Sequence, residues 1–210
     1  MKHYHSIEKY NEEYFGKYVF GFDKIDGSNF VAEWSKKLSK KTRFTNGFAK
    51  FGTRTEMIKK ESNPFAKGID IFMNKYSEPL DKIFNENKLF KGIDLITVYG
   101  EFYGDSSFAG QHNWSEPHDL IIYDMFLYKK DFVKPRDFID IFGNLHIPDL
   151  IFSGLFDKNI VNDVECNSYN LKEGLVFKGV DNNKVFMFKM KTYQWLNKVR
   201  ELYGVNNNLE

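Results

Sequence analysis

Apolar residues recur along this chain with two periods, and the switches between them divide it into elements. Near the start Tyr4, Ile7, Tyr10, Tyr14 and Phe15 fall at roughly helical spacing, which predicts an amphipathic helix or turn packed on the body. Residues 18–22 read as a buried strand and 29–34 as another, parted by a polar, glycine-bearing stretch that sets Lys24 at the lip of a strand. Residues 43–55 carry the Asn46-Gly47 turn signal among short strands. From Ile69 to Phe90 the positions Ile69, Phe72, Met73, Tyr76, Leu80, Ile83 and Phe84 keep helical spacing, interrupted near Pro79; one kinked helix or two consecutive helices are expected. Residues 95–103 and 120–127 read as strands, and the glycine-, serine- and histidine-bearing stretch 104–119 between them is long enough to be functional or mobile. Pro135 suits the first turn of a helix running to about Leu145. Residues 174–180 and 184–191 alternate as a hairpin around Asp181-Asn182-Asn183, and 193–202 close the chain as a helix. The order is mixed, with no internal repeat and no linker. It predicts an α+β fold built on antiparallel sheet, a single domain over 1–210.

Length and composition narrow the class. At 210 residues, 42% hydrophobic and 28% charged, the chain can bury one core and is not a disordered tail. The aromatic share of 18% leaves rings for stacking on bases as well as for the core. No run is long enough to span a bilayer and residues 1–15 lack the apolar stretch of a signal peptide, so the expectation is a cytoplasmic protein without a membrane partner. Cys166, the one cysteine, allows neither an internal disulfide nor a cysteine-based zinc site.

The net charge of +1 argues against holding nucleic acid by bulk electrostatics alone, yet it hides a pattern. Residues 1–60 carry 13 Lys and Arg against 7 Asp and Glu, residues 61–170 carry 10 against 18, and residues 171–210 carry 7 against 4. Basic ends that met in the fold would offer a surface to phosphates. The runs Lys36-Lys37 and Lys40-Lys41, taken alone, read as solvated hairpin edges.

A lysine nucleophile requires a depressed pKa, from burial or neighbouring cations. Lys24 follows a hydrophobic strand and precedes Gly27, which permits close backbone approach, with Ser28 and Asn29 just beyond. Lys189 and Lys191 lie two apart on a strand and so project from one face, a costly pairing unless an anion such as a polyphosphate accompanies it. Glu101 lies in a strand that otherwise reads as buried, and Glu173 stands at the mouth of another; ribose hydroxyls or a hydrated magnesium ion would give them partners. Each feature has a bland counterpart: a solvated loop lysine, a strand-end glutamate paired with a lysine, or charges that blunt a sheet edge.

In this order the features resemble something specific. Residues 24–30, K-I-D-G-S-N-F, resemble the K-x-D-G motif of covalent nucleotidyltransferases, in the extended form found in RNA ligases. Phe48-Ala49-Lys50 with Gly52-Thr53-Arg54-Thr55, then Gly100-Glu101-Phe102-Tyr103-Gly104, Tyr123-Asp124, the run 173–178 (E-G-L-V-F-K) and Lys189-Met190-Lys191 resemble the family's further blocks in family order. The resemblance spans about residues 18–195 and is nearest to the second family of phage RNA ligases, which includes the kinetoplastid RNA-editing ligases. It implies an adenylyltransferase core of two mainly antiparallel sheets flanked by helices, with a nucleotide in the groove between them. It further implies that Lys24 attacks the α-phosphorus of ATP and carries AMP, that Glu101 holds ribose hydroxyls, and that Tyr123 stacks on adenine where the family usually has Phe. Glu173 would place a catalytic Mg2+ or Mn2+, and Lys189 and Lys191 would orient the phosphates. Arg54 and Lys50 would contact AMP or RNA ends, with Asp23, Ile25 and Asn29 lining the nucleotide. The implied substrate is RNA with 5′-phosphate and 3′-hydroxyl ends, and the protein is expected to act as a monomer.

The pattern departs from the family in two places. Only 19 residues follow Lys191, so the reading expects no OB module, which weakens a capping-enzyme alternative and leaves substrate grip to the core. Phe22 occupies the position two before Lys24, where the family often has arginine. In the 104–119 stretch, Gln111, His112 and Trp114 would engage RNA as part of a lid, or else His112 and His118 are solvated; their spacing alone is not a metal signature. A DNA ligase or GTP-using transferase on the same core, and a non-catalytic nucleotide or RNA-end binder, remain as rival readings.

Overall fold

The computed structural model describes residues 2–41, 45–59 and 64–204. Part of the 43–55 prediction therefore lies outside the described residues. In chain order the elements are β1 (Glu8–Lys9), β2 (Tyr18–Lys24), β3 (Ser28–Ser35), α1 (Lys36–Lys41), β4 (Phe48–Gly52), α2 (Ala66–Lys75), α3 (Ser77–Glu86), β5 (Leu95–Gly104), β6 (His118–Leu127), α4 (Pro135–Phe142), β7 (Leu150–Leu155), α5 (Lys158–Glu165), β8 (Gly174–Asp181), β9 (Lys184–Lys191) and α6 (Tyr193–Tyr203). The fold is α+β, with two mainly antiparallel sheets and flanking helices. The chain divides into two compact units: Met1–Tyr4 with Gly27–Val133 and Asp140–Ile147, and His5–Asp26 with Lys134–Ile139 and Pro148–Glu210.

The first unit holds a four-stranded antiparallel sheet in the order β4-β3-β5-β6. Phe30, Phe48, Phe72 and Phe84 form its aromatic core, all nearly inaccessible to solvent. Two buried polar groups are satisfied there: the Trp34 indole donates to Asp81 over 2.7 Å, and the Tyr76 hydroxyl donates to the Leu120 carbonyl over 2.7 Å. The 69–90 pattern resolves into two consecutive helices. The break falls at Tyr76, and Pro79 lies in the first turn of α3, where no intrahelical N–H is needed.

The second unit holds a five-stranded sheet in the order β1-β9-β8-β2-β7, antiparallel except for the short parallel pair β1 with β9. Leu175, Phe177, Phe188 and Met190 turn one face of this sheet toward Ile160, Val161 and Val164 of α5, the unit's core cluster. Because side chains alternate along a strand, that packing assigns residues 22, 24, 176, 178, 189 and 191 to the opposite face.

Two expectations need correction. The opening aromatics do not lie on a helix: the segment forms β1 and one short 3-10 turn, Glu12–Tyr14, and its rings serve different partners. Tyr4 belongs to the first unit, whereas Tyr10, Tyr14 and Phe15 pack on the core of the second. The lysines at 36–41 form α1 rather than hairpin edges, and Lys37, Lys40 and Lys41 are exposed. The strand β7 and the helix α5, not anticipated from the pattern, supply a sheet edge and the cover of a core.

Candidate nucleotidyl-transfer site

In the second unit, strand register builds a row of chemistry. Lys24 ends β2 directly opposite Gly174 of β8, and Gly174 lies directly opposite Lys191 of β9. Two strand steps of about 4.8 Å separate the lysines' backbones. The residue between them must lack a side chain, since a Cβ on Gly174 would come within 2.0 Å of the Met190 carbonyl oxygen. Glu173, the residue just before Gly174, closes the gap: its Oε2 accepts from Lys24 Nζ over 2.8 Å and its Oε1 pairs with Lys191 Nζ over 3.1 Å.

This ion cluster is drier than a surface bridge, with 4% of the Glu173 side chain and 9% of Lys191 accessible. Burial pushes the Lys191 ammonium down to about 8, with the charges of Lys24 and Lys189 adding to the drop and Glu173 opposing it. The Lys191 ammonium also lies 3.5 Å from the centre of the Trp195 ring, and the indole N–H of Trp195 donates to Asp26 over 2.8 Å. Trp195 occupies the first turn of α6, fixed by Thr192, whose hydroxyl accepts from the Trp195 backbone N–H. It therefore ties the base of the Lys191 side chain's environment to the segment two residues after Lys24, a role absent from the sequence reading.

Around this row, Lys189 lies opposite Val176, which lies opposite Phe22. Phe22 is buried, with the Lys178 ammonium 5.1 Å from its ring centre, so position 22 supplies packing rather than a polar contact. Asp23 is partly buried and its carboxyl is raised by burial and by the nearby Asp149 and Glu173 carboxylates. Ile25 is partly buried in the segment after β2.

The first unit carries the remaining candidates. Asn29 on β3 pairs in register with Glu101 on β5, and its side-chain amide donates to the Tyr123 hydroxyl on β6. Burial raises the Tyr123 phenol well above its ordinary value, the negative charges of Glu101 and Asp124 adding to the effect, so it stays protonated. Tyr4 meets the Tyr123 ring edge-on at 5.2 Å and donates to Asp124 over 2.5 Å, which braces Tyr123 from behind. Gly27 permits the close approach of its loop to β5, for a Cβ there would meet the Phe102 carbonyl oxygen at 2.4 Å.

Lys50 donates to the buried Glu33 over 2.7 Å, and Arg54 is exposed, its carbonyl bonded by a His3 ring nitrogen at 2.7 Å. Gln111 is exposed in the 104–119 stretch. The histidines of that stretch are held rather than solvated. His112 bonds Ser28 at 2.8 Å and Ser107 at 3.1 Å, while His118 stacks on Phe102 at 4.8 Å and on Trp114 at 5.3 Å.

Among the described residues no group of three or more His, Cys, Asp or Glu side chains could cage a metal ion. A single carboxylate, Glu173, fits instead a hard divalent ion that keeps its waters and binds mainly through substrate phosphates.

A sequence profile for the family described as RNA ligase matches residues 17–191. No curated protein sequence matches the chain. Among solved structures, a Naegleria gruberi RNA ligase variant with ATP and Mn superposes with a TM-score of 0.58 at 16% identity, over 90% of this chain and 54% of that one. A second variant of the same enzyme, with AMP and Mn, gives 0.56 at 16% identity over 94% and 58%, and an apo variant gives 0.54 at 19% identity over 93% and 58%. The chain thus spans a little over half the length of these proteins, and the likeness is one of fold.

Proposed function

This chain belongs to the RNA ligase family, and on that premise we propose that it is an ATP-dependent RNA ligase working through a lysyl-AMP intermediate, nearest within the family to the second group of phage ligases. The observation that carries the reading is the single carboxylate of Glu173 joining Lys24 to Lys191, which puts a candidate nucleophile and a candidate phosphate-binding cation on one anion. Lys24 Nζ, once its ammonium has given up a proton to solvent, would attack the α-phosphorus of ATP. A P–N bond forms while the bond to the pyrophosphate oxygen breaks, and the bonding pair leaves with pyrophosphate.

Lys191 and Lys189 would oppose the negative charge that builds on the phosphoryl oxygens, an electrostatic role that does most of the work in such transfers. A divalent ion, Mg2+ or Mn2+, would neutralise the triphosphate, with Glu173 as its protein carboxylate. By their resemblance to the family's blocks, Glu101 would hold ribose hydroxyls and Tyr123, whose hydroxyl accepts from the Asn29 amide, would offer its ring to the base. AMP would next pass to an RNA 5′-phosphate, freeing Lys24, and a 3′-hydroxyl would displace AMP to join the strands.

The test is transfer of label from α-labelled ATP to the protein in the presence of magnesium, followed by incubation with 5′-phosphorylated RNA or DNA. Label on the wild type, none on Lys24→Ala, and discharge by RNA are expected. Equal labelling of Lys24→Ala would remove the nucleophile, and discharge by DNA alone, or labelling from GTP alone, would replace the substrate assignment.

A further inference from the structure

Beside strands β1 and β9 of the five-stranded sheet, the second unit has a pocket of about 710 Å3. Its walls come from β1, the 3-10 turn, α5, β9 and α6. Five cations line it, Lys9, Lys158, Lys189, Lys191 and Arg200, against two carboxylates, Glu12 and Glu165. Of those two, Glu165 already accepts from the Tyr193 hydroxyl over 2.7 Å. The unit as a whole carries 13 Lys and Arg against 14 Asp and Glu, so the positive excess belongs to this pocket and not to the unit. A concave surface lined by one sign of charge concentrates counter-ions there.

We propose that this pocket holds backbone phosphates of the RNA strand whose 5′ end is joined, a reading that rests on the ligase function above. Lys191 both lines the pocket and pairs with Glu173, so a phosphate lodged among the outer cations lies beside a residue of the Lys24 row. The outer cations suit a strand better than the compact tail of ATP. Lys9, Lys158 and Arg200 are exposed and come from three separate elements, spreading charge along a path, and the guanidinium of Arg200 can take a phosphate through two parallel N–H bonds. The volume, within the range that holds whole small molecules, also has room for more than one phosphate group.

The experiment uses the full chain with Lys158→Ala and Arg200→Ala combined, neither residue being part of the Lys24–Glu173–Lys191 cluster. Binding of a 5′-phosphorylated, fluorescein-labelled RNA oligonucleotide is followed by anisotropy across a salt series, beside lysyl-AMP formation from ATP. The expected result is RNA binding weakened at least tenfold, with the slope of log affinity against log salt reduced by about 1.4, the value for two lost contacts on a single strand. The rate and KM of adenylylation stay at wild-type values, and the Lys158→Arg, Arg200→Lys pair restores RNA binding. Unchanged RNA binding and salt slope would overturn the proposal, as would a tenfold rise in the KM for ATP with RNA binding intact, which would give the pocket to the triphosphate. Because anisotropy needs no adenylylation, a wild type that binds RNA through these two residues and forms no adduct would sink the ligase reading while upholding the pocket.

Discussion

Lys191 is the residue where stability and chemistry pull apart most measurably. Its ammonium is held at about 8 instead of 10.5, a drop worth about 3 kcal/mol on the scale of pKa shifts. The sign follows from proton counting: between pH 8 and 10.5 the unfolded chain binds a proton at this side chain that the folded chain has released. The unfolding free energy contributed by Lys191 therefore rises with pH across that window and is flat below it, where the full cost of burying the charge is present. Lys191→Met, close in shape and uncharged, should abolish the rise and make the protein about 1–3 kcal/mol more stable at pH 7, since Glu173 keeps Lys24 as partner. The same variant should lose adenylylation for want of a phosphate-facing cation. Urea unfolding of both proteins at pH 7, 8, 9 and 10 reads the difference, and tyrosines that ionise in that range cancel between them. Curves that stay parallel with pH would refute the buried, partly discharged cation on which the argument stands.

Two further outcomes test neighbouring groups. Trp195→Leu removes the ring face under Lys191 and the donor to Asp26, and should slow adenylylation about thirtyfold, the equivalent of about 2 kcal/mol for a desolvated cation over an indole; Trp195→Phe, which keeps a ring, should lose less than tenfold. Equal losses in the two would assign the effect to the Asp26 bond alone. In the first unit, Glu101→Ala and Tyr123→Leu should each raise the KM for ATP about tenfold, while Tyr123→Phe, which drops only the hydroxyl that bonds Asn29, should change it less than threefold. A Tyr123→Leu enzyme with an unaltered KM would show that the ring does not carry the base.

How much of this was legible in the chain depends on whether the signal is local. The hairpin 174–191 declares itself by two-residue alternation, and its turn by Asn182 and Asn183, both of which take the positive φ that a two-residue hairpin loop demands. That alternation already puts Lys189 and Lys191 on one face, and the motif spacing marks Lys24 and Glu173. The row itself is not local. It exists because β8 lies between β2 and β9 with Gly174 in register with both lysines, and a pairing of residues as far apart in the chain as Lys24 and Gly174 has no trace in either strand alone. Helix α5 was within reach: Asp157 accepts from the N–H groups of Asn159 and Ile160, and Ile160, Val161 and Val164 fall on one face, but eight residues give too short a repeat to stand out. The opening aromatics mislead for the opposite reason, since their helical spacing is met by an extended segment whose rings divide between two cores.

Trp195 lies between these cases. It follows Lys191 by four positions, with Thr192 as a cap residue between, and a capped helix starting straight after a strand turns its first-turn side chains back toward that strand's last residues. The sequence K-T-Y-Q-W thus contains a reason to expect an aromatic against Lys191, drawn from cap geometry rather than from any motif. What it cannot contain is the second anchor, the bond from the indole to Asp26, which makes the same ring a tie to the nucleophile's own segment 169 residues away. If that tie orders the segment after Lys24, then Asp26→Asn, which still accepts from the indole, should keep wild-type adenylylation where Asp26→Ala does not.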